Sequence, residues 1–207
     1  MVKKIPTKLE KHGHVRIDNY HWLRERENPE VIRYLNEENE YSAKEMDHAR
    51  DFEERVFQEI KGRFKQTDMS VPYKRDDYFY YTRYEEQKEY PIYARKRGSL
   101  AQAEEIILNA NILAQGHEFF SVGGWAVSSG QDLLAYAVDI EGRRIHTAYL
   151  KNLFTGELLP DVLPNVTENL AWANDNQTLF YAKQDEVTLR QYQIYRHVVG
   201  TDPAKDQ

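Results

Sequence analysis

A hydrolytic serine in an α/β fold needs a sharp strand-to-helix turn of the form Gly-x-Ser-x-Gly, which lifts the hydroxyl clear of the sheet. No serine of this chain stands in that pattern. Ser128 and Ser129 follow Gly123-Gly124 and precede Gly130, and they read as a polar turn between strands. There is no cysteine to act as nucleophile, thiolate ligand or disulfide partner. The zinc pattern His-Glu-x-x-His is absent, because Phe119-Phe120-Ser121 follow His117-Glu118. His12-Gly13-His14 offers two imidazoles, but metal sites are rare and a solvated loop is the plainer reading. No glycine-rich phosphate loop is present, and Gly123-Gly124 reads as backbone relief beside the bulky Trp125. Neighbouring carboxylates such as Glu37-Glu38, Glu53-Glu54 and Glu85-Glu86 read as solvated faces, since acid–base work needs a cleft. Arg95-Lys96-Arg97 and Arg143-Arg144 read as loop charges. The expectation is a scaffold or binding module with no catalytic, cofactor-binding or metal-ligating residue of its own.

The elements that hold these residues divide into two regions, 1–70 and 71–207. The first twenty-odd residues are polar and irregular, ending in Asp18-Asn19-Tyr20-His21-Trp22-Leu23. Asn28 is a suitable helix N-cap, Pro29 suits the first helical position and Glu30 complements the helix dipole. Val31, Ile32 and Leu35 then make an apolar stripe. A second helical stretch carries Ala49, Phe52, Val56, Ile60 and Phe64, and Pro72 forbids helix beyond Val71. Both stripes require a partner surface. From Val71 the pattern changes to short aromatic and β-branched runs, with Tyr78–Thr82, Tyr90–Arg95 and Ile106–Leu108 as strands. Pro91 belongs at a strand start or an edge, and Glu85 to Glu89 form a charged turn.

The second region contains an internal repeat. Ala126 to Tyr136 aligns with Ala171 to Tyr181 at an offset of 45 residues, and Thr147 to Leu153 aligns with Tyr192 to Val198 at the same offset. Thr155-Gly156-Glu157-Leu158-Leu159 adds a turn and a fourth strand to the first copy. Four strands in about 40–45 residues is the pattern of propeller blades, with a plain antiparallel sandwich as the alternative. The expected fold is mainly β with N-terminal α-helices: an open arc of about three blades, 71–115, 118–163 and one from 167 that is cut short. Trp125 and Trp172 belong in blade cores. Unpaired edges of such an arc need cover, so the protein is expected to continue past Gln207.

Composition sets the remaining bounds. The 207 residues suffice for one or two domains, and 41% apolar with 30% charged residues suits an ordinary globular chain. A net charge of −6 argues against general nucleic-acid binding. The Met-Val-Lys-Lys start has no apolar run behind it, and no stretch is long enough to span a bilayer. A cytoplasmic location is expected. Without a secretion signal, Asn165-Val166-Thr167 and Asn176-Gln177-Thr178 read as loop asparagines and not as glycosylation sites.

Several of these segments carry a resemblance. His12-Gly13-His14-Val15-Arg16-Ile17-Asp18-Asn19-Tyr20-His21-Trp22-Leu23-Arg24 resembles the N-terminal signature of the prolyl oligopeptidase family. Asn19, where the proline-cleaving branch has Pro, is similar to the oligopeptidase B (protease II) branch. So are Val71-Pro72-Tyr73, Tyr80 to Glu85, Lys88 to Tyr93, Trp172-Ala173-Asn174-Asp175, Val187-Thr188-Leu189 and Tyr192 to His197. The likeness runs over residues 5–207. It implies a helical N-terminal segment, a seven-bladed propeller that restricts access to short peptides, and a C-terminal α/β-hydrolase domain. It implies cleavage after Lys or Arg by a triad beyond residue 207, so this chain alone is expected to be inactive.

The resemblance also implies that Arg16, Asp18, Tyr20 and Trp22 dock the N-terminal segment onto the hydrolase domain. Tyr20 and Trp22 serve equally well as a staple onto the segment's own helices. The expected partners are that hydrolase domain and short basic peptides, with no nucleic acid, membrane or cofactor. Two other functions remain open: a free-standing propeller-like interaction module, and a proline-specific member of the same family.

Overall fold

A computed structural model describes residues 2–207. The chain forms two compact units, Met1–Phe64 and Lys65–Gln207.

The first unit opens with a hairpin of β1 (Thr7–Lys11) and β2 (His14–Asp18). The segment expected to be irregular is therefore ordered. Its two-residue turn, His12-Gly13, has φ of 53° and 78°, the double positive φ that matches the twist of paired strands. The His12-Gly13-His14 segment is this turn and the start of β2, all three residues solvent-exposed as expected. A 3-10 turn over His21–Arg24 leads to α1 (Pro29–Met46), where Asn28 Oδ1 accepts from the Glu30 amide at 2.9 Å as the capping pattern predicts. A single 3-10 turn, Asp47–Ala49, passes directly into α2 (Arg50–Arg63), so the two expected helical stretches run on without a loop.

The unit's own core is small. Val31 is buried, and the Trp22 ring packs 6.5 Å from that of Tyr34. Most of the rest of the predicted stripes stays outside: Ile32, Leu35, Phe52, Ile60 and Phe64 are exposed, Ala49 and Val56 are half-buried, and α2 fully buries no residue.

The second unit is built of antiparallel strands. The first sheet has the order β3 (Tyr73–Arg75), β4 (Tyr78–Arg83), β5 (Ile92–Arg97) and β6 (Glu104–Asn109), closed by the short α3 (Ala110–Leu113). Pro91 lies just ahead of β5, where no ladder amide is needed. A second, six-stranded sheet runs in sequence order through β7 (Ser121–Val127), β8 (Leu133–Asp139), β9 (His146–Asn152), β10 (Leu158–Trp172), β11 (Thr178–Gln184) and β12 (Gln191–Val198).

The repeat is visible in the backbone. Gln131 and Asn176 both take positive φ, 62° and 60°, in matching turns, and Arg144 and Leu189 do so at 59° and 57° in the next pair. Each pair is separated by the repeat offset of 45 residues.

Strand β10 corrects the sequence reading. The pattern predicts a fourth strand at Leu158-Leu159 and a separate new strand near Thr167. They form one continuous strand, with register breaks between Leu158 and Val162, Leu163 and Val166, and Val166 and Leu170. The Leu158–Leu163 half pairs with β9, while Leu170–Trp172 pairs with β11. Asn165 sits at the bend with φ of 56°, inside a strand and not in a loop. The Glu168 backbone thereby reaches β7, although β7 and β10 are not hydrogen-bonded neighbours. The sheet is curled, as part of a propeller requires.

The same approach explains Gly123-Gly124. A Cβ on Gly124 would lie 2.9 Å from the Glu168 carbonyl carbon, and one on Gly123 would meet the His146 ring. The glycines make room for β10 and β9, not for Trp125.

The core is split by the two faces of β8, which is buried along its whole length. Leu134, Tyr136 and Val138 join Tyr78, Tyr80, Ile107 and Leu108 on one side. Ala135 and Ala137 join Ala148, Leu150, Leu163, Val166, Leu179 and Tyr181 on the other. Each fully buried Leu in these clusters is worth roughly 1.5–3 kcal/mol. Trp125 packs against the first cluster and Trp172 against the second.

Candidate functional site

Three polar arrangements stand out in the second unit. The first ties successive turns together. Tyr80 Oη donates to Gln131 Oε1, and Gln131 Nε2 donates to Asp76 Oδ2 at 2.8 Å. Arg95 has no solvent exposure; it donates to the Gln131 carbonyl at 2.6 Å and to Glu105 at 2.8 Å, and lies 4.0 Å from the centre of the Tyr78 ring. Across the next gap the Gly130 amide donates to Asn176 Oδ1 at 2.7 Å, and Asn176 Nδ2 donates to Asp132 Oδ1 at 2.9 Å. Trp172 Nε1 adds a bond to the Ala126 carbonyl at 3.0 Å. These hydrogen bonds, from the buried Tyr80–Gln131–Arg95 contacts to the exposed Gly130–Asn176 pair, lock the turns in one relative arrangement. Asn176, a sequon asparagine, is thus engaged with the neighbouring turn.

The second arrangement is a buried imidazole between carboxylates. His197 Nε2 and Nδ1 lie 2.8 Å from Asp161 Oδ1 and Asp206 Oδ1 respectively. The Gly200 amide donates to Asp161 at 2.6 Å, and Tyr181 Oη donates to Asp206 at 2.8 Å. Burial, and then the Asp206 carboxylate, push the Tyr181 phenol well above its ordinary range. Both ring nitrogens of His197 face carboxylates and none faces a hydroxyl or thiol. The cluster therefore clamps the 203–207 tail onto β10 and β12, and has no nucleophile to activate.

The third is a surface pair. Arg83 reaches Glu104 with Nη2 at 2.8 Å and with Nε at 3.0 Å, and Tyr81 Oη donates to the same carboxylate at 2.6 Å. The Arg83 hydrogen bonds hold the Glu104 carboxyl below the usual range. Burial and then this hydrogen bond raise the Tyr81 phenol to about 12.

Apolar surface is the other feature. Among the described residues β12 has a strand neighbour on one edge only, β11; on the other edge Gln207 exchanges backbone hydrogen bonds with Arg196. Tyr192 and Ile194 on it are exposed, and beside them an open cavity of about 330 Å³ runs over Leu170, Ala171, Phe180 and Tyr181. A face of that kind is what a further layer of strands would cover.

The four candidate docking residues all lie in the first unit, and the structure places them unequally. Arg16 is exposed on β2 and lies 3.7 Å from Asp18. Asp18 Oδ1 accepts from the Tyr20 amide at 3.0 Å, so it shapes the exit from the hairpin. The Tyr20 ring is exposed. Trp22 is buried in its own unit and donates Nε1 to the Lys3 carbonyl at 3.1 Å.

No group of three or more His, Asp or Glu suited to a metal ion occurs among the described residues. No helix among them is long and apolar enough to cross a membrane. Sequence reasoning missed the Asp161–His197–Asp206 cluster entirely. Its members lie 36 and 9 residues apart, with no motif spacing to betray them.

A curled antiparallel sheet with a 45-residue repeat and turn-to-turn pinning defines this as a propeller-type β protein. The family model for the prolyl oligopeptidase N-terminal β-propeller domain matches residues 1–207. The chain belongs to the prolyl oligopeptidase family, in that N-terminal domain. It is 40% identical to a dipeptidyl aminopeptidase BI of Pseudoxanthomonas mexicana, over 94% of this chain and 29% of the relative. It is 38% identical to a protease 2 of Moraxella lacunata, over 100% of this chain and 31% of the relative. Among solved structures, the oligopeptidase B of Leishmania major superposes with a TM-score of 0.89 at 28% identity, over 100% of this chain and 32% of that one. The chain thus spans about a third of the length of the relatives it matches.

Proposed function

We propose that this chain is the N-terminal helical and propeller portion of a cytoplasmic serine oligopeptidase that cleaves short peptides after Lys or Arg. Residues 1–70 pack on a C-terminal α/β-hydrolase domain of the same protein. Residues 71–207 are the first three of seven blades, the third completed by chain beyond Gln207, and the ring gates entry of peptides. The observation that carries this reading is the likeness to protease 2 and oligopeptidase B over the whole of this chain and only a third of theirs. It agrees with the lack of a Gly-x-Ser-x-Gly turn here and with the exposed apolar faces of α2 and β12. Arg16, Asp18, Tyr20 and Trp22 take part in the docking, with Tyr20 as the exposed contact and Trp22 as its buried support.

The test is an assay of the isolated chain and of the complete enzyme on blocked Lys and Arg peptide substrates. The complete enzyme hydrolyses them and the isolated chain does not. Turnover by the isolated chain overturns the reading. In the complete enzyme, Tyr20→Ala lowers the temperature of domain separation without changing the stability of the isolated chain; no change in either counts against the docking role.

The relative at 40% identity favours a second reading within the family, release of dipeptides from a free amino terminus. Dipeptide substrates with free and with blocked amino ends separate the two. Cleavage that requires the free amine supports the aminopeptidase reading.

A further inference from the structure

Between the first sheet and β8–β9 lies a groove that neither the turn network nor the His197 clamp uses. Its cavity is about 290 Å³. Ile106 on β6, Ile112 on α3 and Leu158 on β10 form its rim and are exposed, while Leu108 and Tyr136 lie buried beneath them. Apolar side chains so arranged make a trough and not scattered surface residues.

One cation lines this trough. Lys151, on β9, donates from Nζ to the Ile107 carbonyl at 3.1 Å. Among the described residues it forms no ion pair with a carboxylate, and this is its one hydrogen bond to the protein, so two of its three N–H groups lack a protein partner. Burial holds its ammonium below the usual lysine range, because the groove strips water from the charge without supplying an anion. Tyr136 lines the same groove, and its hydroxyl makes no hydrogen bond to any described residue. Burial raises that phenol to about 12, so it remains a donor at neutral pH.

We infer that this groove binds a small aliphatic carboxylate, its tail along Ile106, Ile112 and Leu158 and its carboxylate on Lys151 Nζ and the Tyr136 hydroxyl. The cation selects the anion by charge and the trough selects the tail by burial. The volume sits near the lower end of ligand pockets, roughly 300–1,000 Å³, which favours a tail of medium length. The inference is independent of the peptide-cleaving reading and needs no residue outside this chain.

Octanoate is the probe, with octanol as its neutral counterpart, each titrated into the protein by calorimetry and followed by backbone amide shifts. Octanoate should saturate, with the shifts confined to the segments around Ile106, Ile112, Lys151 and Leu158. Octanol should bind about tenfold more weakly or worse, the typical effect of losing a charged hydrogen bond. Lys151→Met, which keeps the apolar stem, should lower octanoate affinity by about the same factor. Ile112→Glu, at an exposed rim position on α3, should weaken octanoate as well and guards against misfolding of the first variant. No saturable octanoate binding, shifts elsewhere on the protein, or unchanged affinity in both variants overturns the assignment.

Discussion

The approach of Glu168 to Gly124 offers a test of the curled sheet. In Gly124→Ala the new methyl group would stand 2.9 Å from the Glu168 carbonyl carbon, nearer still to its oxygen, against 3.4 Å for the start of ordinary contact. The obstacle is main chain, so no rotamer can relieve it. The oxygen sets the requirement, so well over half an ångström must open between β7 and β10. Overpacking of this kind costs about 1–3 kcal/mol, and a rigid backbone neighbour puts this case at the upper end, about 3 kcal/mol. Gly62→Ala is the control. Nothing lies within 4 Å of its Cβ position and φ is not positive, so the change inside α2 should stabilise by about 1 kcal/mol. Urea unfolding followed by tryptophan fluorescence, where Trp125 and Trp172 report on the second unit, gives the Gly124→Ala midpoint. The helical circular dichroism signal reports Gly62→Ala. A Gly124→Ala protein as stable as the parent would refute the inference that β7 and β10 touch.

The polar clusters and the first unit's core give three further outcomes. His197→Ala takes from the buried Asp161 and Asp206 side chains the ring that both share, and should destabilise the second unit by about 1–3 kcal/mol for each partner so lost in urea titrations; adding Asp206→Asn should recover part of that loss. The lowered Glu104 carboxyl contributes stability above its unfolded value, near 4.5, and loses it as pH falls through the folded value. Glu104→Gln should therefore flatten the decline of the urea midpoint below pH 4.5, and an unchanged acid slope argues against the Arg83 pairing as its cause. Trp22→Ala removes the buried ring of the first unit and its bond to Lys3, and should cost that unit about 3–5 kcal/mol by thermal circular dichroism.

Much of the fold is legible in sequence because local rules govern it. Asn28 announces the start of α1 through its side-chain cap, and the 45-residue offset recurs as matched positive φ at Gln131 and Asn176. The hairpin of β1 and β2 is hard to read because His12-Gly13 is a rare way to write a two-residue turn. Strand β10 reads as two because the repeat assigns its halves to successive blades, and Pro160 and Pro164 fall between them. Prolines are tolerated in a strand where register shifts and bulges leave no amide to pair, and β10 is interrupted in that way between Leu158 and Val166.

The candidate clusters are far less legible. Motif spacing is measured along the chain, whereas Asp161, His197 and Asp206 meet only after β10, β12 and the 203–207 tail are assembled. Lys151 reads in sequence as one more polar residue on a strand; its isolation from any carboxylate is a property of the groove between two sheets.

By itself the sequence determined the alternation of strands, the helix cap, the repeat and the family, because periodicity and turn residues act over a few positions at a time. The tertiary structure alone decided which faces are covered. Glycines at 123 and 124 admit the Glu168 backbone, and β8 is buried on both sides while α2 and the Tyr192 and Ile194 side chains of β12 stay exposed. Burial depends on which surfaces meet, and that is a relation between distant residues that no local pattern encodes.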